Sequence, residues 1–322
     1  MKRTGLKAAW HRMEEGGKPL DIAIIGGGPA GLTAGIYVRR ALMEAVLFEG
    51  GVLGGQMALS DLIENYPGVD KVAGYELAER MVEQARGFGL NMVLEEVRDV
   101  RPSGDAFTLR TAKGEYSAKA VIIATGAEPI RLGVEGEERL IGRGVSYCAT
   151  CDGPLFKDKV VAVVGGGDSA FKEALYLAKL AKQVYLIHRR EGFRAEKIHV
   201  ERARSNPNIR FFLNSVVEEI HGEDKVEAAT VRNVRTGDSH KLELDGIFIY
   251  VGRRPNTGFI DIVEKDDSGY IRVNEDMETS MRGVFAAGDC TSPKWRQIAT
   301  AVGDAAKAAI SAIKFVESIH GR

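Results

Sequence analysis

Two cysteines three positions apart, Cys148-Ala-Thr-Cys151, are followed at once by a carboxylate, Asp152. A Cys-x-x-Cys spacing brings both sulfurs within bonding range. Dithiol exchange needs one thiolate to attack and a second to resolve the mixed disulfide. A zinc site would need two more ligands, and neither the single Cys290 nor a nearby His completes a set, so no metal is expected. Two inert buried cysteines are the remaining alternative, and the pair reads as a thiol–disulfide couple. Asp152 admits two roles, a general acid–base for the thiols or a turn residue ahead of Gly153-Pro154. Cys290 reads as a small buried residue. Three cysteines in 322 residues do not make a secreted disulfide framework and fit a reducing cytoplasm.

The next chemistry-bearing residues are glycines. The apolar run Asp21-Ile-Ala-Ile-Ile ends in Gly26-Gly27-Gly28-Pro29-Ala30-Gly31. The run Lys159-Val-Val-Ala-Val-Val ends in Gly165-Gly166-Gly167-Asp168-Ser169-Ala170. Each is a strand, a glycine turn and the start of a helix, the context that makes a Gly-x-Gly-x-x-Gly/Ala motif specific for a dinucleotide. Gly26 and Gly165 make the tight turn. Gly28 and Gly167 let a pyrophosphate approach the backbone, and Gly31 or Ala170 lets the helix pack on the strand. The helix N-terminus then offers N–H groups and a partial positive charge to the phosphates.

The residue ending the second strand of each unit separates the two sites. Eighteen positions after Gly31 stands Glu49, whose carboxylate accepts from two ribose hydroxyls and repels a 2′-phosphate. That is the pattern for the adenosine half of FAD or for NAD. Eighteen positions after Ala170 stands His188, followed by Arg189, Arg190 and Arg194. A cationic cluster there suits a 2′-phosphate, so the second site is expected to prefer NADPH.

The elements that must hold these residues repeat as well. Phe107-Thr-Leu-Arg, a turn near Lys113-Gly114 and the run Ala120–Gly126 read as a hairpin feeding a buried strand. Val231–Arg235, a turn at Thr236-Gly237-Asp238 and the run Gly246–Gly252 read the same way. Leu77, Met81, Ala85 and Phe88 recur at helical spacing as core positions. After Gly252 no third glycine turn begins. Gly283–Asp289 and an alanine-rich helix near 298–317 are too small for a domain and must complete one of the two copies. The expected fold is α/β, with two Rossmann-like three-layer (ββα) dinucleotide-binding domains.

Composition narrows the functional classes. Net charge is −1, with 44% hydrophobic and 28% charged residues. That provides no field for nucleic acid or an anionic membrane, and no apolar run reaches bilayer-spanning length. Residues Met1–Leu20 are polar and basic, without a signal-peptide core, and read as a flexible or short helical arm.

Taken together, Gly26–Gly31, Gly54-Gly55-Gln56, Glu64–Gly68, Ala124-Thr125-Gly126, Cys148–Asp152, His188–Arg194, Gly252–Thr257, Ala287–Asp289 and Arg296-Gln297 resemble the low-molecular-weight thioredoxin reductases from about Lys18 onward. The resemblance implies a homodimer. It implies a discontinuous FAD domain, 1–128 and 253–322, with an NADPH domain, 129–252, inserted and carrying the dithiol. Gln56, Asn65, Val97, Thr125, Asp289, Arg296, Gln297 and Ile298 would join the first glycine turn in contacting FAD. Cys151 would face the flavin, Cys148 would attack a disulfide of thioredoxin or a similar protein, and Asp152 would serve as acid–base. Rotation about Glu128–Arg131 and Tyr250–Arg253 would alternate the two half-reactions. A relative reduced by ferredoxin or another donor would be expected to lose the His188–Arg190 cluster, which is intact. Arg253-Arg254 and Lys172 depart from the family's common pattern without touching the chemistry.

Overall fold

The structure, a computed structural model, describes residues 19–60, 63–292 and 294–319. The N-terminal arm expected from the sequence falls, up to Lys18, outside the described residues. The chain divides into two compact units. Unit one takes the described residues up to Ala58, Tyr75–Ala127 and those from Pro255 on; unit two takes Leu59–Gly74 and Glu128–Arg254.

In chain order the elements of unit one are β1 (Leu20–Ile25), α1 (Pro29–Arg40), β2 (Ala45–Phe48), α2 (Gly74–Gly87), β3 (Asn91–Val93), β4 (Val97–Ser103), β5 (Ala106–Thr111) and β6 (Glu115–Ile123). The short β7 (Ala127–Pro129) leads into unit two. There follow β8 (Val145–Ser146), α3 (Ala149–Asp152), β9 (Val160–Val164), α4 (Asp168–Leu177), β10 (Gln183–His188), α5 (Lys197–Arg204) and β11 (Ile209–Leu213). Next come β12 (Ser215–His221), β13 (Ala228–Asn233), β14 (Ser239–Glu243) and β15 (Gly246–Ile249). After β16 (Arg253–Pro255), β17 (Val284–Ala286) and α6 (Ile298–Ile319) return to unit one.

Unit two shows why its strands are near-continuous apolar runs. Its parallel sheet has the order β11-β10-β9-β15-β8, and both faces are covered. Successive side chains alternate between faces. Val161, Val163 and Phe248 pack with Phe171 and Ala174 of α4. Ala162, Val164, Ile247 and Ile249 pack instead with Val217, Ile220 and Val231 of the antiparallel β12-β13-β14 sheet. Helix, parallel sheet and antiparallel sheet are the three layers expected from the sequence.

Unit one has the sheet order β3-β2-β1-β6-β5-β4. β6 serves two partners along its length. Glu115–Ala118 pairs antiparallel with β5, and Val121–Ile123 lies parallel to β17. The final segment therefore completes this sheet, and α6 packs on α1.

The two hairpins differ where the sequence suggested a match. β6 runs unbroken from hairpin to parallel sheet, whereas β14 stops at Glu243 and β15 restarts at Gly246. Between them, Asp245 N–H donates to Val160 O at 2.7 Å and its Oδ2 accepts from Val160 N at 3.0 Å. Gly246 then lies under the Phe156 ring, where an added Cβ would stand 2.3 Å from Cε1. Among the described residues no helix is long and apolar enough to cross a membrane.

Phe171 is fully buried and makes an edge contact with Phe193 at 4.8 Å between centroids. Phe171→Ala is expected to destabilise unit two by about 3–5 kcal/mol, read as a lower denaturation midpoint in urea.

Candidate functional site

The first glycine turn is shaped by close backbone approach. Gly26 has φ +108°, and a Cβ there would lie 2.3 Å from Ala124 O. A Cβ on Gly31 would lie 1.8 Å from Gly26 O, so α1 reaches the end of β1 only with glycine at this position. Gly28 caps α1 in extended conformation, with open space where its side chain would be. Pro29 starts the helix, where its missing N–H costs no hydrogen bond.

Glu49 is fixed before any ligand arrives. Its Oε2 accepts from Gly27 N and its Oε1 from Gly51 N, both at 2.6 Å. Each oxygen keeps further acceptor capacity for hydroxyl donors. Gly54 N donates to Gly27 O at 2.8 Å, which sets the 54–55 loop against the turn and leaves Gln56 beside it, exposed. Thr125 follows β6, and its Oγ1 is buried with no hydrogen-bond partner. Asp289 sits on the turn after β17. There Gly288, at φ +75°, approaches Ala30 of α1 and Ala301 of α6. Arg296 and Gln297 precede Ile298, the first residue of α6, and Val97 begins β4 as a buried residue. Asn65 is exposed, between the bridged Ile63 and Val72, in the segment assigned to unit two. An oriented carboxylate, an open helix N-terminus and an orphaned buried hydroxyl fit a dinucleotide whose adenosine ribose carries no phosphate.

The second turn repeats the plan with different chemistry. Gly165 has φ +153°; a Cβ there would meet Tyr250 O at 2.5 Å and Ala170 Cβ at 2.8 Å. Gly167 caps α4 with open space beside it. Asp168 Oδ1 accepts from Glu196 N at 2.8 Å, while Ser169 is exposed. The His188 ring lies over Gly166, within 2.2 Å of an added Cβ, as Glu49 and Leu53 cover Gly27. Its Nε2 donates to Gly192 O at 3.1 Å.

His188 differs from the sequence reading in its charge. Burial lowers its pKa, and Arg189, Arg190 and Arg194 lower it further against the opposing pull of the Gly192 carbonyl. The lowered pKa favours the neutral ring, so the lasting positive charge is that of the three arginines. Their guanidinium groups are exposed and make no ion pair among the described residues, while neighbouring Glu191 is taken by Arg235. Three uncommitted guanidinium groups fit a phosphate on the ribose of a nicotinamide dinucleotide.

The cysteine pair lies in unit two. Cys148 and Cys151 form a disulfide, with Cα atoms 5.3 Å apart. Cys148 is extended and precedes α3, a single turn in which Asp152 N donates to Cys148 O at 3.1 Å. Buried Ala149 packs in one cluster with Ala170, Phe171 and Ala174, so α3 rests on the helix that begins at the second glycine turn. Ser146 Oγ accepts from Cys148 N at 3.0 Å and donates to Asp152 Oδ2 at 2.6 Å. Asp152 makes no side-chain cap hydrogen bond, which leaves the turn-capping alternative unsupported.

Sequence reasoning missed Ser146, Tyr250 and Glu137. Ser146 carried a local signal, a hydroxyl two residues before the amide it binds. Tyr250 is 101 positions from the amide it meets, and no spacing rule reaches that far. Cys290 is fully buried, with its thiol near Ala287 O at 3.3 Å, and burial pushes its pKa up to about 11.

The family model for pyridine nucleotide-disulphide oxidoreductases matches residues 20–305. A thioredoxin reductase of Peptoclostridium acidaminophilum is 46% identical over 306 residues, covering 92% of this chain and 97% of that protein. One from Bacillus subtilis is 43% identical, covering 94% and 96%. Among solved structures, thioredoxin reductase from Streptococcus pyogenes is similar at TM-score 0.88 and 45% identity, covering 93% of this chain and 98% of that one.

After reduction, the native protein is expected to take up iodoacetamide at Cys148 and not at Cys290, which should react only after denaturation. Mass spectrometry of the modified peptides checks this. Labelling of Cys290 in the native state at pH 8 would contradict its burial and raised pKa.

Proposed function

The chain belongs to the pyridine nucleotide-disulphide oxidoreductase family, and we propose that it works there as a thioredoxin reductase. Electrons would pass from NADPH by way of FAD to the Cys148–Cys151 disulfide and on to a disulfide of thioredoxin. What carries this reading is the disulfide-bonded Cys-x-x-Cys placed directly before a second glycine turn, in a chain whose relatives over nearly full length are thioredoxin reductases.

FAD is assigned to the first turn. Gly26–Gly31 would receive its pyrophosphate and Glu49 its ribose hydroxyls. Gln56, Asn65, Val97, Thr125, Asp289, Arg296, Gln297 and Ile298 would contact the remainder. NADPH is assigned to Gly165–Ala170, with Arg189, Arg190 and Arg194 on the 2′-phosphate and His188 as a neutral hydrogen-bonding neighbour. The corresponding domains are 1–128 with 253–322, and 129–252. The protein would act in the cytoplasm as a homodimer, with no nucleic acid or membrane as partner.

When bound, the two cofactors supply hydride transfer and two-electron relay. The chain's own residues carry the thiol chemistry. In the reduced state the Cys148 thiolate attacks one sulfur of the partner's disulfide, and the other partner sulfur leaves as a thiolate and takes a proton. The Cys151 thiolate then attacks Cys148, breaks the mixed disulfide and restores the Cys148–Cys151 bond as the second partner thiol leaves. Asp152 would hold and return the proton, with Ser146 orienting its carboxylate.

Anaerobic NADPH is expected to bleach the flavin absorbance, and oxidised thioredoxin to restore it. No bleaching would remove the donor assignment; bleaching without reoxidation by thioredoxin would leave a reductase of another disulfide. Cys148→Ser should still be reduced by NADPH while thioredoxin turnover falls to background. The double variant Arg189→Ala, Arg190→Ala should raise KM for NADPH by at least about tenfold, each lost charged hydrogen bond being worth about 1.5–3 kcal/mol. Steady-state kinetics should show KM for NADH little changed. Equal losses for the two nucleotides would refute the 2′-phosphate role.

A further inference from the structure

Two main-chain groups flank Cys148, and the segment ending unit two holds both. On one side, Ala149 N donates to Tyr250 Oη at 2.6 Å. On the other, Tyr147 O accepts from Arg253 Nη2 at 3.2 Å. The Tyr147 hydroxyl in turn donates to Glu137 Oε1 at 2.7 Å. Glu137 is 2% exposed and also accepts from Leu132 N at 3.0 Å and Gly133 N at 2.7 Å. The backbone through Cys148 is therefore fastened on both sides by contacts far away in sequence.

The Tyr250 contact has the clearest consequence. Ala149 is the first residue of α3, and the first amides of a helix have no acceptor within it. Ala149 is fully buried, so water cannot serve. The phenol oxygen of Tyr250 is the acceptor, and its position is set by the sheet. Tyr250 N donates to Val164 O at 2.7 Å, and Tyr250 O lies against Gly165. Burial raises the phenol pKa far above its ordinary value, with the Glu173 carboxylate adding to the rise, so the group stays neutral.

We propose that Tyr250 is a positioning residue for the dithiol, its hydroxyl setting the balance between the disulfide and dithiol forms of Cys148 and Cys151. This rests on the reading that the pair is the redox centre. In the disulfide, the bond to Cys151 fixes the chain at Cys148, and the Ala149 amide has only Tyr250 to meet. Opening the disulfide releases the loop, which can turn this amide toward another acceptor. Loss of the phenol oxygen thus penalises the disulfide form more than the dithiol form.

The test is Tyr250→Phe, which keeps the buried ring and removes the acceptor. The holoenzyme is equilibrated with mixtures of reduced and oxidised dithiothreitol, quenched with an alkylating reagent, and its free thiols are counted by mass. In that exchange one dithiothreitol closes to its cyclic disulfide as Cys148–Cys151 opens to two thiols, two electrons and two protons passing between them. The variant's equilibrium should move about tenfold toward the dithiol, about 30 mV for a two-electron couple. An unchanged equilibrium with a lower melting temperature, or a shift toward the disulfide, would overturn the proposal. The exchange involves no thioredoxin, so absence of thioredoxin turnover by the wild-type protein would overturn the functional reading separately.

Discussion

Both units are organised by the crowding of backbone where a buried parallel strand ends and a helix begins. At Gly31 an added Cβ would sit 1.8 Å from a carbonyl oxygen of the preceding turn. At Gly165 it would sit 2.5 Å from the carbonyl of Tyr250. A backbone atom cannot step aside as a flexible side chain can. The glycines therefore fix the distance between strand and helix, and with it the direction of the helix N-terminus. That same closeness delivers the end of the neighbouring strand to the turn. In unit one the neighbour is Glu49, tied to two amides; in unit two it is His188, its ring over Gly166. One packing constraint thus sets two different chemistries, a carboxylate and an imidazole, beside the two glycine turns.

The thiol pair depends on the second of these turns. α3 is too short to hold its own geometry, since isolated single turns are unstable. It is held because Ala149 is packed against α4 and because Ser146, Tyr250 and Arg253 bind the main chain around Cys148. Tyr250 belongs to both places, with its carbonyl against Gly165 and its hydroxyl on Ala149. The cysteines are close in sequence, but the frame that sets their environment is distant.

Where the structure goes beyond the sequence reading, burial and hydrogen-bond partners supply what residue spacing leaves open. His188 sat beside three arginines and looked cationic, yet burial and those same arginines disfavour its charged form. The second hairpin looked like the first, yet its strand stops at Glu243 and Asp245 bonds both main-chain groups of Val160 before β15 begins. Asp152 had two local roles open to it, and the Ser146 hydroxyl engages its carboxylate while no cap bond forms.

The sequence by itself determined the α/β class, the strand–glycine–helix units and the family, because these rest on short-range rules. Glycine is required where φ is positive or backbone crowds backbone, apolar runs mark strands covered on both faces, and a Cys-x-x-Cys closes its own loop. The tertiary structure alone decided that β17 lies parallel to β6, that burial lowers the pKa of His188, and that the amide after Cys148 meets a phenol 101 residues away. Those outcomes depend on desolvation and on hydrogen-bond partners brought together by packing, and neither is a property of neighbours in the chain.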